Sequence, residues 1–269
     1  METNFKNSDI ADIKTPIESI SGATWAYIKE KYGAKSYLFI AAASFLIIAD
    51  LFFLHLIFIS VITLFVIFGI YGWIYQKVDN RFYQQIAELN GYTYEPKGFL
   101  NTRGHVFQIG DSPKFEDIIT GEFENHPLKL FVYKFTTGSG KQRAEHKLSI
   151  CELTFPTQMP NIVLNAHNFS SYSLFDFGLK KLTLEGDFHK HFTLYCQPNY
   201  EIEALQIFTP DVMQDLMKKS KNYDIEFADD KIYIISPASL KTRTEIMAMF
   251  NFAHYLIIKL KKVLPRIKI

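Results

Sequence analysis

Residues 37–75 read YLFIAAASFLIIADLFFLHLIFISVITLFVIFGIYGWIY, and in this stretch only Asp50 and His55 can carry a charge. As one helix it would run roughly 58 Å at 1.5 Å per residue, about twice the 30 Å hydrocarbon core of a bilayer. The economical solution is two spans of about 17 residues each, with the chain turning around 50–55. An aspartate at mid-bilayer costs about 2.5–3.5 kcal/mol, whereas at a turn it sits among headgroups at little cost. Asp50 and His55 are therefore expected at the tip of a transmembrane hairpin, as a solvated turn rather than a buried proton relay. A soluble hairpin is the competing reading, but no other part of the chain is suited to cover so much apolar surface.

The flanks set the expected orientation. Lys29, Lys31 and Lys35 precede the first span, Lys77 and Arg81 follow the second, and the turn has neither Lys nor Arg. The positive-inside rule then puts both chain ends in the cytoplasm. Trp25, Tyr37, Trp73 and Tyr75 suit the interfacial zone. The segment starts too late and runs too long for a signal peptide. The expected division is a polar tail over 1–35, the hairpin over 36–76, a connecting helix over 77–90 and a cytosolic domain over 91–269.

Working outward from the hairpin, the tail has Pro16 and Gly22 as breaks, with a short helix expected from about Thr24 to Lys31. On the other side, Val78, Phe82, Ile86 and Leu89 recur at helical spacing, so the second span is expected to continue as a helix that stops at Gly91. The rest reads mainly as strands. Ile118–Phe123 and Leu128–Phe135 flank Asn125–His126–Pro127 as a hairpin. Lys147–Phe155 alternates and stops before Pro156 and Pro160, and Ile162–Asn165 is short. A loop is expected from His167 to about Lys180, and strands resume at Leu182–Leu184 and His191–Tyr195. Tyr200–Phe208 is helical, and Thr209–Pro210–Asp211 is a strong helix start. Tyr223–Phe227 and Ile232–Ile235 form a terminal hairpin about Asp229–Asp230. A last helix, about Thr242 to Val263, places Ile246, Met249, Phe250, Ala253, Leu256, Ile257 and Leu260 on one face. The expected fold is α+β, an antiparallel sheet with a C-terminal packing helix.

Composition excludes more than it selects. Across 269 residues the net charge is +1, so no global field points to nucleic acid. Two cysteines, Cys151 and Cys196, are too few for a disulfide framework and fit a reducing compartment. Thr137–Gly138–Ser139–Gly140–Lys141–Gln142 superficially matches a phosphate loop. It has Phe135 where the motif needs glycine, Gln142 where it needs Ser or Thr, and strands on both sides, so it reads as a hairpin tip. His189 and His191, two apart on an expected strand, share a face near Asp187 and are weak metal candidates, with no third ligand at a recognisable spacing. Gly121–Glu122–Phe123 with His126 echoes Gly186–Asp187–Phe188 with His191, either as related hairpins or by coincidence. Lys259, Lys261, Lys262, Arg266 and Lys268 cluster near the C-terminus. They are candidates for anionic-lipid contact beside the simpler reading of solvated helix-end charge. No cofactor is expected.

The run Leu182-Thr-Leu-Glu185-Gly-Asp-Phe188-His-Lys-His-Phe192-Thr-Leu-Tyr195, with Glu203-Ala204 and Phe208-Thr209-Pro210-Asp-Val-Met213, resembles a bacterial membrane-protein family, the domain of unknown function three-one-three-seven. The likeness is best over about 117–235 and includes the segment Asp224–Ile235. It departs at Phe208, where leucine is usual, and at Leu205, where arginine is common. The resemblance implies two neighbouring spans followed by a cytosolic domain, and it implies no activity. Together these readings predict a membrane-anchored cytosolic binding or scaffolding module in a bacterial plasma membrane. Its expected partners are the lipid bilayer and a protein, with homo-oligomerisation left open. The alternative is a membrane-bound metal-dependent hydrolase using His189 and His191.

Overall fold

The computed structural model describes residues 14, 18–33, 37–38, 40–45, 48, 57–166, 178–184, 186–219 and 223–264. Its helices are α1 (Ile20–Tyr32), α2 (Ile57–Leu89), α3 (Glu201–Ile207), α4 (Pro210–Lys219) and α5 (Arg243–Val263). Its strands are β1 (Thr93–Gly98), β2 (Asp111–Phe123), β3 (His126–Thr137), β4 (Ala144–Ala166), β5 (Lys180–Leu182), β6 (Phe192–Cys196) and β7 (Asp224–Ser236). The fold is α+β, with seven strands in one antiparallel sheet.

Strand β4 organises the sheet. Its first half lies between β3 and β7, and its second half lies between β6 and β7. The sequence reading cut both β4 and β7 in two; the structure joins each into one strand. The cause is a pair of irregularities: the ladder between them slips between Thr154 and Ile162, with Met159 opposite Asp229. Pro156 and Pro160 fall in that slip, where the missing N–H donors cost least. Asp229, at φ 56°, turns within β7 without ending it. The slip also switches parity. Cys151, Leu153 and Phe155 before it, and Ile162, Leu164 and Ala166 after it, all enter the same core.

That core lies on one face of the sheet, beneath the second half of α2 and beneath α1, α3, α4 and α5. All seven residues expected on the buried face of α5 are buried, and the helix opens with a capping box between Thr242 and Glu245. The opposite face carries a second cluster. There Phe131, Tyr133, Phe135 and Tyr233 pack under Val106 and Phe107 of the segment joining β1 to β2. Glu226 on β7 fixes that segment, accepting from the His105 and Val106 backbone N–H groups and pairing with His105 Nδ1 at 2.7 Å.

The expected hairpin at Asn125 is present as a two-residue turn, with Glu124 and Asn125 both at positive φ. Gly91, at φ 71°, ends α2 and lets β1 double back along it. The two halves of the Gly-acid-Phe echo sit differently. Gly121 lies inside β2 with the Tyr92 ring where a Cβ would go, and Gly186 opens a 3-10 turn with open space around it. The two stretches are not equivalent hairpins.

Candidate membrane interface

Helix α2 is one continuous element with two environments. From Ile74 onward, Ile74, Val78, Phe82, Tyr83, Ile86 and Ala87 are buried in the core. Before that, Val61, Ile62, Leu64, Phe65, Val66, Phe68, Ile70 and Trp73 are exposed, Phe65 by 74% and Trp73 by 58%. Leaving these eight side chains in water would forgo roughly 10–20 kcal/mol of burial, comparable with the whole net stability of a domain. Ile57 to Tyr75 is roughly 28 Å long, close to the hydrocarbon thickness. Among the described residues, one helix, Val61–Leu89, is long and apolar enough to cross a membrane. In the preceding stretch, residues 37, 38, 40–45 and 48 are helical, with Tyr37, Leu38, Ile40, Phe45 and Ile48 exposed and Ala43 buried.

Where α2 changes environment, a collar of aromatic rings and lysines surrounds it. Trp25 of α1 lies 5.9 Å from Tyr71, and Tyr71 lies 6.2 Å from Tyr75. Lys77 Nζ stands over Trp73 at 5.5 Å and over Tyr27 at 5.9 Å. Lys31 stands over Tyr27 and Tyr32, and Lys241 stands 5.1 Å over Tyr75. Rings with one apolar side and lysines on flexible stems are the groups that settle at a headgroup boundary.

Residues 18–32 complete the collar, where the sequence suggested a polar tail with a short helix from about Thr24. Helix α1 begins at Ile20, before the expected Thr24, and runs through Gly22 with Ser19 as its N-cap. Ile20 N–H donates to the Lys241 carbonyl at 2.9 Å, and Arg243 N–H donates to the Glu18 carbonyl at 2.9 Å. The Glu18 carboxylate also pairs with Arg243 Nη1 at 2.8 Å. Further back, Lys14 and Asn90 exchange two hydrogen bonds. These partners are far apart in sequence, which is why periodicity missed them. The legible signals were Trp25, Trp73 and Tyr75 as interfacial rings and Lys31 and Lys77 as flanking charges.

Other expected sites fare differently. Asp50 and His55 lie outside the described residues, as do Arg266 and Lys268 and most of the loop expected at 167–180. His189 lies in the 3-10 turn Gly186–Lys190 and His191 just after it, not together on a strand, and Asp187 of the same turn pairs with Lys190 at 2.7 Å. Among the described residues, no three of His, Cys, Asp and Glu come together as metal ligands. His126 has its ring 4.3 Å from Phe155 and Nδ1 3.1 Å from the Thr154 carbonyl, a packing role.

The basic cluster of α5 also finds another setting. The Thr242 end of α5 adjoins α1, whereas Phe250 packs on Phe123 at the β2–β3 turn. Helix α5 thus leads roughly 30 Å away from the collar. Lys259 is engaged by Asp215 at 2.8 Å, and Lys261 and Lys262 are exposed in the final turn.

No family model matches the chain, and no curated protein matches it in sequence. Among solved structures, the chain is similar to the crystal structure of the mycobacterial trehalose monomycolate transport factor A, TtfA. The match covers 68% of this chain and 94% of that one, at 10% identity and a TM-score of 0.48. A likeness at that level carries nothing over to this protein's activity.

Proposed function

We propose that the chain is a membrane-anchored binding or scaffolding module of a bacterial plasma membrane, held by two spans with both termini and the α+β domain in the cytoplasm. The observation that supports this most is the continuity of α2: the helix offered to the lipid is the same helix that fills the domain core. Such a joint fixes the domain against the bilayer, as suits a platform for a partner rather than a freely swinging tether. The exposed helical residues around 37–48 and the resemblance to the two-span family favour a hairpin over a single crossing.

The test is affinity capture from membranes of the detergent-solubilised full chain, beside a variant ending at Gly91. A protein retained by the full chain and lost from the shortened one supports the module. An identical set of captured proteins contradicts it.

A further inference from the structure

The sheet face that packs on α2 changes character where α2 leaves the domain. Along β3 that face reads Leu128, Leu130 and Val132, and then Lys134 and Thr136. Opposite them β4 reads Leu153, Cys151 and Ser149, and then Lys147 and Glu145. Strand β1 climbs roughly 17 Å back along α2 from its start beside the end of the helix. The strand ends beyond it, with the β3–β4 hairpin, therefore rise toward the collar. The fields of Lys241, Lys134 and Lys147 all reach Asp79, about one turn of α2 below Tyr75.

Beside them lies a groove of about 350 Å³ lined by Ser112, Lys114, Glu116, Lys134, Thr136, Arg143 and Glu145. Glu116 is paired with Lys134, and Glu145 is paired with Lys147 at 3.3 Å. Among the described residues, Lys114 and Arg143 have no ion pair. Arg143 Nη2 instead donates to Thr136 Oγ1 at 3.2 Å and to Ser112 Oγ at 3.4 Å. The guanidinium is thus positioned by hydroxyls that leave its charge unneutralised. Ser112 keeps its own hydroxyl hydrogen to donate. An Arg oriented by two hydroxyls, a Lys and a hydroxyl donor form a set suited to a phosphate. Phe99, 89% exposed, follows Gly98 at the end of β1, whose partner there is Phe115.

We propose that this groove seats the phosphate of an anionic lipid from the same bilayer, a second contact that holds the sheet end against the membrane. The inference rests on the membrane anchoring proposed above. Lipid, rather than a soluble anion, is the occupant because the cationic face continues the collar and lies on the side toward which α2 emerges. Each cation near an anionic surface adds about fivefold in affinity, so K114E/R143E should raise the lipid fraction needed well over tenfold.

The test uses the full chain in phosphatidylcholine nanodiscs carrying nitroxides both on headgroups and along acyl chains, with phosphatidylglycerol varied. A bimane label is placed on F99C beside the groove, on F65C in the exposed half of α2, or on D187C at the far end of the domain. Cys151 and Cys196 are buried and do not compete for label. The expected result is quenching at 65 and 99 but not at 187, with the signal at 99 rising with phosphatidylglycerol and lost in K114E/R143E. Quenching at 65 with none at 99, or a signal at 99 indifferent to phosphatidylglycerol and to K114E/R143E, overturns the inference and leaves the anchor standing. Loss of the signal at 99 on adding millimolar inorganic phosphate assigns the groove to a free anion and also overturns it. Absence of quenching at 65 overturns the anchor itself.

Discussion

The hydroxyl of Tyr83, buried in the second half of α2, donates a 2.7 Å hydrogen bond to the carbonyl of Leu240 just ahead of α5. The N–H of Leu240 in turn donates to Ser149 Oγ of β4 at 3.0 Å. One residue thereby ties the membrane-directed helix to the sheet and to the last helix. Tyr83→Phe leaves that carbonyl unpaired in the core and should cost about 1–3 kcal/mol. Denaturant unfolding in detergent, comparing midpoints at unchanged slope, measures it. A midpoint equal to the parent's would show that the bond contributes nothing.

Asp117 gives the domain a pH dependence. Burial pushes its carboxyl up to about 6, against the opposing hydrogen bond from Tyr94 Oη at 2.8 Å. A carboxyl raised in the folded state favours folding while it is protonated. That contribution is full below the unfolded value near 4 and is lost as pH rises through about 6. Stability should therefore increase by on the order of 1 kcal/mol between pH 7.5 and pH 5. Asp117→Asn, which keeps a residue tolerant of φ 51°, should be the more stable protein at pH 7.5 and should flatten this trend. Thermal melts across that range decide the matter.

Gly121 is required by contact. A Cβ there would fall 2.1 Å from a ring carbon of Tyr92, which β1 presses onto the sheet. Gly121→Ala should destabilise by about 1–3 kcal/mol. The companion change Tyr92→Leu should recover part of that loss, and a double-mutant cycle reads the coupling.

Glu226 holds the segment before β2 by three contacts, to His105 N–H, Val106 N–H and the His105 ring. Glu226→Ala leaves two backbone donors without their partner and should cost about 2–4 kcal/mol. Hydrogen exchange should report the loss first at His105 and Val106. Protection there equal to that of the parent would contradict this role.

Periodicity and end signals made α2, α5, the β2–β3 hairpin and the α4 start at Pro210 legible, because each rests on residues close in sequence. Leu89 was the one misplaced member of the α2 pattern; it is 47% exposed because the domain curves away at Gly91. The join of β4 and β7 was illegible because two prolines and Asp229 look like ends when each strand is read alone. They become a bulge only when the strands are paired. The collar was half visible. Trp73 and Lys77 are neighbours in sequence, but Lys241 meets Tyr75 only after the whole sheet has folded between them. The groove at Lys114 and Arg143 depends on strand register, which no local pattern carries.

The proposed topology crosses the bilayer twice and returns the domain to the side from which the chain set out. Its most direct test is two-sided cysteine labelling of the full chain in sealed membrane vesicles, at S8C, L54C and D187C. The account predicts that 8 and 187 react only with reagent on the cytoplasmic face and that 54 reacts only with reagent on the opposite face. Reaction of 8 and 187 from opposite faces would contradict it.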